Sequence, residues 1–150
     1  MKLSSLDFYF DFLSPFAFFA WREVGPLCEK YELEMKAHPV VFGKLLDHWG
    51  QLGPAEIVPK RDWASRYCLR YSALHGFEHN PPKYHPFNPL AALRLSLKEV
   101  SGAQQSAVID AIFHRGWTEG EDIGDITNLL DILEREKIDI SGFEEKIQQQ

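Results

Sequence analysis

The sequence contains few cysteines and no pair spaced for dithiol chemistry. Only two of its 150 residues are cysteine, Cys28 and Cys68, and no Cys-x-x-Cys is present. Each lies in a predicted helix among apolar or aromatic neighbours. We therefore expect two buried, reduced thiols rather than a disulfide, and this cysteine usage favours the cytoplasm.

Long basic runs and long apolar runs are also absent. The formal net charge is −6, and without a basic cluster we expect no nucleic-acid partner. No stretch reaches transmembrane length, and the first five residues contain no apolar signal region, so we expect no membrane partner. The six histidines fit no ordered ligand set, and we expect no metal site.

The sequence has ample material for a hydrophobic core. Hydrophobic residues make up 45% and aromatic residues 13% of the chain, which excludes a disordered protein. No internal repeat, low-complexity segment or linker is visible. The length therefore predicts one domain, or one domain with a large insertion.

The aromatic stretch from Leu6 to Phe16 organises the rest of the chain. Residues 6–10 predict a short buried strand. Ser14 is a good helix N-cap, and Pro15 suits the first helical position. A hydroxyl between a parallel strand and a helix N-terminus faces an anion site. Taken alone, Ser14 is more simply explained as a helix cap.

The following residues predict a second strand and then a run of helices. A helix over 15–31, with a kink or break at Pro26, leads to a second strand at Val40-Val41-Phe42. The two strands and this helix make a right-handed βαβ unit. On the later helix over 59–75, five large residues predict an apolar face: Trp63, Tyr67, Leu69, Tyr71 and Leu74. The other predicted elements are a short helix over 45–49, an extended loop over 77–87, and helices over 89–100, 103–117, 125–137 and from Ser141.

Only two strands are convincing, and two parallel strands leave unpaired edges. Two explanations are open. Either a partner chain completes the sheet, or the protein has lost a segment beyond Gln150. We expect association into a homodimer.

Several motifs, in order, resemble those of the 2-hydroxychromene-2-carboxylate isomerases. They occupy 7–16, 43–46, 50–51, 57–61, 85–90 and 92–94, and the resemblance runs from Leu6 to about Phe143. These isomerases belong with the kappa-class glutathione transferases, in the DsbA-like branch of the thioredoxin superfamily. The resemblance implies an α/β fold: a thioredoxin-like βαβ unit over 1–44, a large helical insertion over 45–137, and the start of a return helix over 138–150. It also implies that the family's C-terminal ββα portion is missing.

The same resemblance implies a role for Ser14. It occupies the place where thiol–disulfide relatives carry the first cysteine of Cys-x-x-Cys. Without a thiol, disulfide exchange through this motif is excluded, whereas a hydroxyl can donate a hydrogen bond to the sulfur of glutathione, the implied cofactor. The implied glutathione-binding residues are Ser14, Pro15, Phe16, Gln51, Pro59 and Lys60. Pro59 is explained equally well as a helix-start proline.

The implied substrate is a small aromatic carboxylate. Trp49, Phe16 and Tyr84 are candidates for an aromatic wall. Phe87 and Asn88 match a substrate-side loop, although Asn88 also suits a helix N-cap. The family thus implies a glutathione-dependent isomerase. The alternatives are a kappa-like glutathione transferase and a catalytically impaired binding or oligomerisation domain.

Overall fold

Two short parallel strands and eight helices form the part of the protein that the computed structural model describes, residues 4–148. The strands are β1 (Ser5–Phe10) and β2 (Glu34–Pro39). The helices are α1 (Pro15–Tyr31), α2 (Phe42–His48), α3 (Val58–His75), α4 (Leu90–Leu95), α5 (Lys98–Ser101), α6 (Gln105–Trp117), α7 (Ile126–Arg135) and α8 (Phe143–Gln148). Within residues 4–148, no helix is long and apolar enough to cross a membrane.

β1, α1 and β2 form the predicted βαβ unit. The strands pair in parallel, with Ser5 opposite Glu34 and Phe10 opposite Pro39. The first strand is confirmed, but the second was predicted at 40–42 and lies at 34–39 instead. Its alternation of exposed Glu34 and Lys36 with half-buried Met35 is the pattern of a strand with one covered face. The apolar residues 40–42 instead lead into α2.

Helix α1 is confirmed over its whole predicted length. It is continuous through Pro26 rather than broken there, and it ends at Tyr31, followed by the C-cap residue Glu32, whose φ of 54° is left-handed. The buried residues of α1 recur at helical spacing and give the helix one face in the core. They are Phe18, Phe19, Trp21, Val24 and Cys28.

Helix α3 has the predicted bounds but not the predicted burial. Its exposed side chains include Trp63, Leu69 and Leu74, at 58%, 62% and 82%. The buried residues of this helix are Cys68 and Ser72. The small Cys68 and Ser72 side chains face the core, whereas the large rings stack along the helix surface. Both cysteines are buried and free, as predicted.

The later helices differ from the prediction at their ends. The helix predicted over 89–100 is two helices, α4 and α5, because Leu97 is extended, with φ −64° and ψ 140°. Helix α7 begins at Ile126 and ends at Arg135, within the predicted 125–137, and Asp125 caps it by accepting from two backbone N–H groups. Helix α8 begins at Phe143 rather than Ser141, since the Ser141 N–H donates to the Asp139 side chain, 2.9 Å away.

Helix α6 anchors the segment that follows β1. Its predicted inward residues Val108, Ile109, Ile112, Phe113 and Trp117 are all buried. The Trp117 Nε1–H donates to the Phe12 carbonyl over 2.8 Å, and the rings of Phe12 and Phe113 lie 4.7 Å apart. The position of residues 11–14 therefore depends on the core.

Trp117→Phe is expected to lower the free energy of unfolding by about 2–4 kcal/mol, because it leaves the buried Phe12 carbonyl unpaired and removes part of a packed ring. Trp49→Phe is the matched control, since Trp49 is 72% exposed. Its expected effect is within about 0.5 kcal/mol. Urea denaturation followed by circular dichroism measures both. Equal stabilities of the two variants would contradict this role of Trp117.

Candidate active site

A buried carboxylate lies directly after β1 and joins two segments of the chain. Asp11 is 3% exposed. Its Oδ1 accepts from the Leu13 N–H at 2.9 Å and its Oδ2 from the Phe42 N–H at 2.8 Å. Burial raises the pKa of Asp11, and the two N–H bonds offset part of that rise. Asp11 therefore ties the turn before α1 to the first residue of α2.

Ser14 lies at the end of this turn and caps α1, as predicted. Its N–H donates to the Asp11 carbonyl at 3.1 Å, and its Oγ accepts from the Ala17 N–H at 3.2 Å. Because the hydroxyl accepts from the helix, its own proton is available to another group. Pro15 has no N–H, and the Phe16 N–H is one of the first-turn donors without an intrahelical acceptor. These two donors give the half-buried site an affinity for negative charge.

The backbone carbonyls of this turn are held from two other parts of the chain. The Phe12 carbonyl accepts from Trp117, and the Leu13 carbonyl lies 3.0 Å from Nε2 of His85. A carbonyl only accepts, so His85 carries its proton on Nε2. Sequence reasoning missed Asp11, His85 and Trp117 as supports of Ser14. Only the position of Asp11, charged and directly after a buried strand, was a signal.

A groove of about 380 Å³ brings together two of the predicted site residues. Gln51 and Asn88 both line it, with Lys44 from α2 and Leu90 from α4. The Asn88 Oδ1 also accepts from the Leu90 N–H at 3.1 Å, so this side chain supports the start of α4. Among the described residues that line the groove, Ser14 does not appear.

The remaining predicted glutathione-binding residues lie at the start of α3. Pro59 is within the first two positions of this helix, which is the helix-start role considered from the sequence. Both Pro59 and Lys60 are exposed. Their contact with glutathione stays a prediction.

The three rings expected to form an aromatic wall have separate neighbours. Trp49 lies edge-on to His48, with ring centroids 5.0 Å apart, and Tyr84 lies under the Lys83 ammonium. Phe16 contacts Trp63 and Tyr67 of α3 instead. Within residues 4–148, no ring contact joins Trp49, Phe16 and Tyr84 to one another.

Phe87, the other predicted substrate residue, is half-buried and lies edge-on to His85, with ring centroids 6.2 Å apart. His85 contacts the turn before Ser14, so the 85–87 segment reaches the same region of the protein. Roles for Trp49, Tyr84, Phe87 and Asn88 in substrate binding stay predictions.

Comparison with known proteins shows the family of this chain. Residues 5–150 match the model of the DSBA-like thioredoxin domain. The chain belongs to the DsbA-like thioredoxin family. It is 30% identical over 146 residues to a 2-hydroxychromene-2-carboxylate isomerase of Pseudomonas putida, which covers 93% of this chain and 68% of that protein. A protein of the same name from Pseudomonas sp. (strain C18) is 28% identical over 148 residues, covering 95% and 67%.

Two solved structures share the fold. One is a 2-hydroxychromene-2-carboxylate isomerase, with a TM-score of 0.80 at 24% identity, covering 95% of this chain and 70% of that one. The other is the cytosolic disulfide reductase DsbM from Pseudomonas aeruginosa, with a TM-score of 0.66 at 19% identity, covering 96% and 69%. The predicted thioredoxin-like fold and the resemblance to the isomerases are confirmed, and the protein is an isomerase-like member of the DsbA-like family.

The raised pKa of Asp11 gives a pH-dependent prediction. Burial makes ionisation of Asp11 costlier in the folded state than in the unfolded state. Its contribution to stability is therefore fully present below its unfolded pKa and falls as the pH rises through the folded pKa. Asn does not titrate, so the stability advantage of the wild type over Asp11→Asn is expected to be largest at acidic pH and to shrink as the pH rises.

Urea denaturation of both proteins, over the pH range in which both are folded, measures this advantage. Asp47→Asn is the control, because the Asp47 side chain is 73% exposed. An advantage that grows with rising pH would show that the carboxylate is stabilised as an anion, contrary to this prediction.

Proposed function

We propose that the protein is a glutathione-dependent isomerase of an aromatic carboxylate similar to 2-hydroxychromene-2-carboxylate. In this proposal, the Ser14 hydroxyl donates a hydrogen bond to the glutathione sulfur and favours its thiolate form. The observation that carries the proposal is the geometry of Ser14. Its Oγ accepts from the Ala17 N–H, at the N-terminus of a 17-residue helix, and its proton is free to donate outward. The names of the relatives support the reaction class.

The donor set at Ser14 fits a thiolate. A thiolate needs hydrogen-bond donors and a positive field, and the Ser14 hydroxyl, the Phe16 N–H and the α1 dipole supply them. The groove lined by Gln51, Asn88 and Lys44 offers amide and ammonium groups to the peptide part of glutathione. A hydroxyl donor also suits a sulfur that must be released again, because the hydroxyl forms no covalent bond with the sulfur.

Glutathione, when bound, would supply a thiolate nucleophile able to add reversibly to a conjugated double bond, with the π electron pair moving onto the conjugated carbonyl oxygen and returning when the thiolate leaves. The Ser14 hydroxyl lowers the free energy of the sulfur anion before the C–S bond forms and after it breaks. The Asp11, His85 and Trp117 contacts fix the turn that carries this hydroxyl, so its direction does not have to be established during the reaction.

Ser14→Ala is expected to weaken glutathione binding roughly 10- to 100-fold at a pH where the thiolate is bound, because a hydrogen bond to a charged group is lost. Isothermal titration calorimetry measures the affinity. Ser106→Ala, which changes an exposed serine on α6, is the control. Thermal melting shows whether Ser14→Ala remains folded after the loss of its cap. Equal affinities of the wild type and Ser14→Ala would rule out the role of Ser14.

Product analysis distinguishes the proposed isomerase from the alternatives. The wild type is incubated with glutathione and 2-hydroxychromene-2-carboxylate, and the products are followed by NMR. An isomer formed at constant free glutathione supports the proposal. A stable glutathione conjugate would identify a transferase instead. Glutathione binding without either product would identify a binding domain.

We also propose that the protein forms a homodimer. Within residues 4–148 the sheet consists of β1 and β2, so each strand has an edge that no other described strand covers. Such edges pair readily with a second chain. Sedimentation velocity at micromolar concentration is expected to show a dimer. A monomer that still unfolds cooperatively would contradict the proposal.

A further inference from the structure

Three aromatic rings form a continuous surface between α1 and α3, which we call the aromatic row: Phe16, Trp63 and Tyr67. The ring centroids of Phe16 and Trp63 are 6.5 Å apart, those of Phe16 and Tyr67 5.5 Å, and those of Trp63 and Tyr67 5.1 Å. The interplanar angles of these pairs are 20°, 39° and 25°. Trp63 therefore stacks on both Phe16 and Tyr67, whereas the Phe16 and Tyr67 rings are tilted against each other, and the three rings together form one apolar cluster.

The row is anchored at one end and open at the other. Beyond Tyr67, the Tyr71 ring packs in a tilted arrangement against Phe19 of the core, with ring centroids 4.9 Å apart, and the Tyr71 hydroxyl donates to Glu23 at 2.7 Å. At the other end, Phe16, Trp63 and Tyr67 are 39%, 58% and 37% exposed. The fold holds these rings together without covering them, as expected of a ligand-binding surface.

The open end begins beside the proposed thiolate donor. Phe16 is two residues from Ser14, and successive Cα atoms are about 3.8 Å apart, so these two Cα atoms lie within about 7.6 Å. Both residues belong to the rigid start of α1. Phe16 therefore places the row at the same end of α1 as Ser14.

Two arginines follow the rings along α3. Arg66 is three residues after Trp63 and Arg70 three residues after Tyr67, so each lies beside a ring on the helix surface. Both are exposed, and within residues 4–148 neither has an ion pair. Guanidinium groups bind carboxylates and also stack against rings. The surface thus combines an apolar plane with unpaired positive charge.

We propose that the aromatic row binds the planar ring of an aromatic carboxylate, and that Arg66 and Arg70 bind its carboxylate group. This proposal rests on the proposed isomerase function and assigns the substrate subsite to Phe16, Trp63 and Tyr67. Of the wall of Phe16, Trp49 and Tyr84 expected from the sequence, Phe16 belongs to the row, and the roles of Trp49 and Tyr84 stay predictions. A ring lying on this surface would contact Trp63 and Tyr67 at stacking distance.

Calorimetric titration with naphthalene-2-carboxylate, without glutathione, tests the row. Trp63→Leu and Tyr67→Leu are each expected to raise the Kd roughly two- to tenfold through the loss of one stacking partner. Tyr67→Phe keeps the ring and should bind as the wild type does. Tyr31→Leu is the matched control, because Tyr31 is 56% exposed but lies at the far end of α1.

Two ligands that differ in charge test the roles of Arg66 and Arg70. The double change Arg66→Gln and Arg70→Gln is expected to weaken binding of naphthalene-2-carboxylate but not of neutral 2-naphthalenemethanol, whereas Arg94→Gln on α4 should affect neither. Loss of affinity for both ligands, or for neither, would overturn the assignment of the carboxylate.

The row itself is overturned if the wild type does not bind the probe at millimolar concentration. It is also overturned if Trp63→Leu and Tyr67→Leu leave the Kd unchanged, or if Tyr31→Leu weakens binding as much as they do. Melting temperatures identify a variant that fails to fold. If Trp63→Leu is such a variant, the Kd values of Tyr67→Phe and Tyr67→Leu decide whether the ring at position 67 binds the probe. Because glutathione is absent, a protein that fails to bind glutathione can still bind the probe, so the two proposals fail separately.

Discussion

The Asp11 carboxylate is the interaction on which the candidate active site depends. It lies directly after the last residue of β1 and is almost fully buried. Its two oxygens accept from the backbone N–H of Leu13, just before α1, and from that of Phe42, the first residue of α2. An unpaired carboxylate at this depth would be costly, and the two N–H groups offset that cost. The same two bonds bring the start of α2 against the start of α1. The turn and the groove beside α2 are therefore parts of one local structure.

Two further contacts give this turn a fixed direction. Trp117 reaches it from the core and His85 from the loop before α4, and each binds a successive backbone carbonyl. The Ser14 hydroxyl is thus supported from three distant parts of the chain while its own proton remains free. Such pre-organisation allows a weak neutral donor to stabilise an anion, because no free energy is used to orient it when the sulfur is bound. The aromatic row is pre-organised in the same way, since Tyr71 and the core hold one end of the row in place.

Local signals in the sequence predicted the elements nearest the site. The aromatic strand and the Ser-Pro helix start each depend on neighbouring residues, and β1, α1 and α3 have the predicted bounds within one residue. Strand β2 was misplaced because the run Val40-Val41-Phe42 is more apolar than the true strand, whose Glu34 and Lys36 face solvent. The distinction between a covered and an exposed strand face depends on what packs against it, which a single sequence does not contain.

The contacts that hold Ser14 and the exposure of α3 could not be predicted either, because both depend on tertiary packing. Asp11 and Phe42 are 31 residues apart, and His85 and Leu13 are 72 apart, so no local pattern links them. The spacing of Trp63, Tyr67 and Tyr71 shows that they share a helix face, but not whether that face meets the core, a ligand or water. The family resemblance assigned Gln51 to glutathione and Asn88 to the substrate side, and the structure brings these two residues together in one groove.

The most direct test of this account is the apparent pKa of the thiol of bound glutathione, measured by the ultraviolet absorbance of the thiolate during a pH titration. An ordinary cysteine thiol has a pKa of about 8.5. The thiol pKa of bound glutathione is expected to be lower than this on the wild-type protein and to rise by about one to two pH units in Ser14→Ala, the equivalent of one hydrogen bond to a charged sulfur. The same thiol pKa in both proteins would contradict it.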